Sequence, residues 1–222
     1  MWPELLLAGV FAGHAAEARP LRYLALGDSY TIGEGVAADQ CWPQQLVMRL
    51  RAEGIALADA QIIATTGWTT DELYAAMDTA ALAPPYDFVS LSIGVNNQYR
   101  GRGGLNYRQE FAALLQRAIR LTDQRPERVI VVSIPDWGVT RFGRESGRDT
   151  ALIARELDAF NVINREEAQR HQVTWADVSA ISRHAGADPS QLAADGLHPS
   201  GLQYRNWLES ILPAARQALS TR

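Results

Sequence analysis

The chain has 222 residues, 47% hydrophobic and 21% charged, a composition that excludes disorder, a collagen repeat or a coiled coil and suits a single α/β domain. Its formal net charge is −4 with no block of either sign, which argues against the clustered basic face of a nucleic-acid binder. All 21 basic residues are arginine and Cys41 is the single cysteine, so a Walker-type phosphate loop, a Schiff-base lysine, an internal disulfide and a C-x-x-C metal or redox site are excluded.

Residues 1–20 read as a leader. Leu5 to Gly13 is apolar and Ala16-Glu17-Ala18 is similar to a small-residue cleavage site. The run is shorter than the ~20 residues of a membrane span. The first four residues, Met1-Trp2-Pro3-Glu4, lack the positive charge of a signal peptide. Both a packed or frayed leader and an export signal fit. The expectation is a cytoplasmic protein, periplasmic or secreted if residues 1–18 act as a signal, without stable membrane insertion.

Residues 21–222 read as one domain of alternating elements. Arg22–Leu26 is a short apolar strand. Trp42–Arg51 carries Leu46, Val47 and Leu50 on one helical face, and Gln61–Thr65 is a second strand. Thr69 and Glu72 offer a capping box for a short helix to Met77. Asp87–Ile93 is a buried strand, followed by helical spacing over Tyr107–Leu121. Arg128–Ile134 is the clearest strand. Asp149–Arg170 is a long helix, Val173–Val178 a fifth strand and Gly201–Ala218 a last helix. This alternation predicts an α/β fold, a parallel sheet covered by helices on both faces.

Ligands of such sheets bind beyond the carboxyl ends of the strands, so the residues there carry the functional reading. They are Gly27-Asp28-Ser29-Tyr30, Thr66-Gly67-Trp68, Gly94-Val95-Asn96-Asn97 and Pro135-Asp136-Trp137-Gly138, with Asp195-Gly196-Leu197-His198-Pro199 near the C-terminus. Together they hold what acyl transfer requires. A serine hydroxyl is a weak nucleophile and needs an adjacent base. A histidine takes that proton and returns it to the leaving group, and a carboxylate fixes the histidine tautomer. Backbone N–H groups or an asparagine amide stabilise the oxyanion. Ser29, His198, Asp195, Gly67 and Asn96 supply one candidate for each role. Each also has a plainer reading: Asp195-Gly196 as a turn, His198-Pro199 as a helix start, Asn96-Asn97 as an Asx-turn and Gly67 as a turn glycine. Tyr30, Trp68, Tyr99, Arg100 and Trp137 fall near the same edge, the aromatics as pocket walls, with Trp68 and Trp137 alternatively as caps on the core. Gly101-Arg102-Gly103-Gly104 reads as a flexible loop or a lid.

Gly27-Asp28-Ser29-Tyr30, the lone Gly67, Gly94-Val95-Asn96-Asn97 and Asp195-Gly196-Leu197-His198-Pro199 resemble, in that order, the four motif blocks of the SGNH/GDSL hydrolases, over residues 27–199. The resemblance implies a three-layer α/β/α sandwich, flavodoxin-like, with a five-stranded parallel sheet. It implies Ser29 as nucleophile, His198 as base with Asp195 as its partner, and an oxyanion hole of the Ser29 and Gly67 N–H groups and the Asn96 amide. Two positions depart from the family pattern: Tyr30 stands where the first block usually has Leu, and Asn97 where the third usually has Asp. The absence of Gly-x-Ser-x-Gly argues against the α/β-hydrolase nucleophile elbow. The implied activity is hydrolysis of short- or medium-acyl esters or thioesters through an acyl-enzyme, without metal or organic cofactor. A carbohydrate O-acetyl esterase and a non-catalytic binding module on the same fold are the alternatives. The expected partner is a small acyl ester.

Overall fold

The computed structural model describes residues 19–220, Ala187 excepted. The expected leader therefore lies almost wholly outside the described residues. Five strands form one parallel sheet: β1 (Tyr23–Gly27), β2 (Gln61–Ala64), β3 (Phe88–Ser92), β4 (Val129–Val132) and β5 (Thr174–Ala176). Their order is β2-β1-β3-β4-β5, with every neighbouring pair parallel. The three inner strands are buried along their whole length, whereas the edge strands β2 and β5 are partly exposed. Inner strands covered on both faces must be apolar throughout, which is why Val129-Ile130-Val131-Val132 was so legible.

The long helices follow from the hand of the crossovers. The chain steps from β1 outward to β2, then back past β1 to β3. The first crossover helix, α2 (Trp42–Ala52), therefore lies on the face opposite those of the later crossovers. It packs against α9 (Gly201–Ser220), which also contacts β3, β4 and β5. The other layer is α3 (Thr70–Thr79), α5 (Gly104–Leu121) and α7 (Thr150–Arg170), packed side by side. The molecule is thus the expected three-layer sandwich.

Four short helices escaped the sequence reading: α1 (Ser29–Ile32), α4 (Val95–Tyr99), α6 (Arg141–Glu145) and α8 (Ser179–Ala185). The fifth strand is also shorter than the apolar run Val173–Val178 suggested, since the chain leaves the sheet after Ala176. The reversal of strand order lies between β1 and β3. Their carboxyl ends diverge into helices on opposite faces and leave a crevice. Ser29 and Asn96 begin the segments that leave this crevice.

Among the described residues no helix is long and apolar enough to cross a membrane.

Candidate active site

At the end of β1 the chain must turn sharply into α1. A Cβ on Gly27 would lie 2.1 Å from Thr31 Oγ1 and 2.6 Å from the Ser92 carbonyl oxygen, so the close approach of α1 and β3 requires glycine there. Asp28 then caps α1, its Oδ1 accepting the Tyr30 N–H at 3.1 Å. Ser29 is the first helical residue and lines a cavity above the sheet. Burial pushes the Asp28 carboxyl up to about 7, against the N–H groups of Tyr30 and Gly94, which favour its charged form.

His198 comes from a turn fixed by hydrogen bonds at its base. The Ala193 N–H donates to the His198 carbonyl at 2.8 Å, and the Phe142 N–H to the Gly196 carbonyl at 3.0 Å. Asp195 does two things at once. Its Oδ1 accepts the N–H groups of Leu197 at 2.8 Å and His198 at 3.0 Å, an Asx-type turn where the plainer reading had a simple turn. Its Oδ2 meets His198 Nδ1 at 2.6 Å. A carboxylate can only accept, so Nδ1 carries the proton and the lone pair of the neutral ring lies on Nε2. Burial alone would raise the Asp195 carboxyl. The hydrogen bonds from the His198 ring and from the Leu197 and His198 N–H groups outweigh it and hold the group below its usual range. The Tyr30 ring lies 5.3 Å from the imidazole, centroid to centroid, and buttresses it.

Gly67 stands in the loop after β2 at φ +86°, a left-handed conformation that disfavours any side chain. The Arg100 guanidinium holds its carbonyl at 2.6 Å. Asn96 sits in the first turn of α4 and donates from Nδ2 to the Trp68 carbonyl at 2.9 Å. That bond ties the Asn96 loop to the Gly67 loop. Asn97 points the other way and is fully buried. Its Oδ1 accepts the Thr70 N–H at 3.1 Å and its Nδ2 donates to Thr70 Oγ1 at 2.6 Å.

The cavity has a volume of about 230 Å³. Ser29, Gly67, Asn96 and His198 all line it, so the structure gathers four of the five sequence candidates on one surface, with Asp195 directly behind His198. Tyr30, Tyr99 and Trp137 are walls, as one reading of these aromatics had it. Trp68 and Arg100 are not: Trp68 packs on the core, and Arg100 reaches the site only through the Gly67 carbonyl and Glu72. The glycine-rich segment joins α4 to α5, its Arg102 paired with Asp71 at 2.6 Å. Thr66, Val95, Phe142 and Leu197 also line the cavity and were not foreseen. The first, second and fourth adjoin motif residues, which was signal enough. Phe142 carried no such mark. Among the described residues no cluster of three or more His, Cys, Asp or Glu side chains could hold a metal ion.

Solved structures share this fold over nearly the whole chain. TesA is 22% identical, with a TM-score of 0.70 over 89% of this chain and 99% of its own. An acetylxylan esterase from Geobacillus stearothermophilus is 18% identical, with a TM-score of 0.68 over 92% and 98%. The esterase EstA from Pseudoalteromonas sp. is 14% identical, with a TM-score of 0.68 over 90% and 99%. A search of curated protein sequences finds no match. The sequence profile of the GDSL-like lipase/acylhydrolase family, by contrast, matches residues 25–205, from β1 through the Asp195–His198 turn into α9, and the chain belongs to that family.

Proposed function

We propose that the protein is a serine esterase that hydrolyses carboxylic esters or thioesters through an acyl-enzyme. One observation carries the reading: an Asp195-bound His198 and Ser29 line the same cavity as the Gly67 and Asn96 loops. His198 Nε2 removes the Ser29 Oγ proton as Oγ attacks the ester carbonyl carbon. The negative charge that develops on the carbonyl oxygen is met by the N–H groups of Ser29 and Gly67 and by the Asn96 amide. Collapse of the tetrahedral intermediate breaks the bond to the leaving alcohol or thiol, which takes the proton from His198. Water, deprotonated by His198, then attacks the acyl carbon and releases the acid, and Ser29 recovers its proton. Asp195 holds the tautomer and stabilises the imidazolium throughout.

A short- or medium-chain acyl group is the preferred substrate class. A carbohydrate O-acetyl ester is the second reading, favoured by a cavity of about 230 Å³, below the ~300–1,000 Å³ of typical small-molecule sites, and by the likeness to an acetylxylan esterase. A binding module is disfavoured because Ser29, His198, Asp195 and Asn96 are all present. The test is intact-mass spectrometry after fluorophosphonate treatment of wild type and Ser29→Ala, with p-nitrophenyl acetate and octanoate turnover. A single adduct that disappears with Ser29, together with Ser29-dependent turnover, is expected. An adduct or turnover that survives in Ser29→Ala overturns the mechanism. Release of acetate from acetylated xylan separates the two substrate readings.

A further inference from the structure

The cavity beside Ser29 ends against aromatic side chains of very different exposure. Trp137 is 2% exposed, whereas Tyr99, at 40%, and Phe142, at 36%, are walls that also face solvent. Trp137 cannot swing aside. Its Nε1–H donates to Gln98 Oε1 at 2.8 Å, and Gln98 in turn donates to Glu156 at 2.6 Å. The position of Tyr99 has a different origin. It is the last residue of α4, one turn beyond Asn96. Its ring meets Trp137 edge-on at 5.4 Å. Arg148, from the segment before α7, packs against both rings. The guanidinium carbon is 4.2 Å from the Tyr99 centroid and 5.7 Å from that of Trp137, and Nη1 donates to the Tyr99 carbonyl at 3.0 Å.

Beyond Tyr99 a second concavity opens, of about 480 Å³, lined by Gln98, Tyr99, Arg100, Arg148, Asp149 and Glu156 among others. Its lining mixes charged and amide groups with Leu152 and Ile153, unlike the largely aromatic and apolar cavity beside Ser29. Tyr99 belongs to both. One ring therefore stands between the small chamber beside Ser29 and a larger groove of mixed character.

We propose that Tyr99, strapped in place by Arg148, is the partition that limits acyl-chain length, so that acetyl to butyryl groups are accepted and longer chains are refused. The proposal rests on the esterase reading above and deepens it. A chain longer than the chamber must push Tyr99 off Arg148 and Trp137. That displacement gives up the cation–π contact and the edge-to-face contact. Tyr99 is a specificity-determining residue, and Arg148 is a positioning residue that acts through it.

The test is kcat/KM on p-nitrophenyl acetate, butyrate, octanoate and decanoate, a series in which only the acyl side varies. Wild type is expected to favour acetate and butyrate. Tyr99→Ala, with Tyr99→Leu as a second variant should the first fold poorly, is expected to raise the octanoate-to-acetate ratio about tenfold, the scale on which a pocket discriminates by a methylene or two. Arg148→Ala should move the ratio the same way by about threefold, mainly through KM for octanoate, and Arg148→Lys should recover part of the difference. A wild type that prefers octanoate overturns the proposal. So does a ratio unmoved in folded Tyr99 variants that still form the Ser29 adduct. Fluorophosphonate labelling keeps the two levels apart: loss of Ser29-dependent labelling in wild type strikes the esterase reading itself, whereas labelling with an unmoved ratio strikes only the partition.

Discussion

On the proposed mechanism, Asn96 combines at residue scale a structural hydrogen bond with a role in chemistry. Its amide has two hydrogens. One is committed to the Trp68 carbonyl at 2.9 Å, which fixes the plane of the group, and the other is free for an oxyanion. A donor already oriented loses little freedom at the moment of reaction, which is the source of its value. Asn96→Ala is therefore expected to lower kcat by about 10²–10³ with little change in KM, measured on p-nitrophenyl acetate. An equal loss carried by KM would assign Asn96 to ground-state binding instead. Tyr30 illustrates a second residue-scale point. Where the resemblance expects leucine, an aromatic ring lies 5.3 Å from the imidazole and lines the cavity. Its contribution is its face and not its hydroxyl. Tyr30→Phe is expected to keep kcat within about twofold, whereas Tyr30→Ala, which frees one side of His198, should lower kcat by about tenfold or more. Parallel steady-state kinetics on the two variants separate ring from hydroxyl.

At the scale of elements, the departure at Asn97 has a structural counterpart. Asn97 joins α4 to the first turn of α3 through the Thr70 N–H and hydroxyl. The carboxylate of this cluster comes from α5: Glu110 accepts from Thr70 Oγ1 and lies 3.5 Å from Asn97 Nδ2. An aspartate at 97 would bring a second carboxylate to a hydroxyl with one hydrogen to give. Asn97→Asp is thus expected to cost about 1–3 kcal/mol at neutral pH, and Asn97→Asp with Glu110→Gln to recover most of it. Urea unfolding of both single variants and the double variant gives the coupling; additive effects would rule out the shared cluster. The same elements show what the sequence conceals. Helices of ten residues or more announce themselves by period, and β1, β3 and β4 by apolar continuity. The segments of four and five residues that present Ser29 and Asn96 are too short to show a period, and their caps are Asp28 and Gly33, and Gly94 and Arg100. The candidate residues that gather at one cavity were legible all the same, because they lie at strand ends and in one compact turn. The Tyr99 partition was only half legible. Tyr99 follows a motif, but Arg148 lies 49 positions away and nothing local marks the two as partners.

At the scale of the whole molecule, a buried carboxyl at the sheet's ligand edge couples the site to global stability. Asp28 is 2% exposed, and burial pushes it from 3.8 up to about 7 in the folded protein. A raised carboxyl binds its proton more tightly folded than unfolded. Between about pH 4 and 7 the native state therefore holds more protons at this position, and stability falls as pH rises through that window. The ceiling of the effect is about 4 kcal/mol, three pH units at about 1.4 kcal/mol each. Asp195 has the opposite sign. Its lowered carboxyl contributes stability above its unfolded value, which is lost only as the pH falls through the acid range, so it does not overlap the Asp28 window. Asp28→Asn removes the titration and keeps an oxygen for the Tyr30 N–H, at the cost of about one hydrogen bond if the amide cannot also accept from Gly94. That fixed loss shifts the variant's curve without changing its slope. The expected outcome is that the stability of Asp28→Asn relative to wild type improves from pH 4.5 to about pH 7 and levels off above it, read from urea midpoints at each pH. A difference that stays flat across the window would mean that Asp28 keeps its charge on burial and that the N–H groups around it are worth more than the desolvation they oppose.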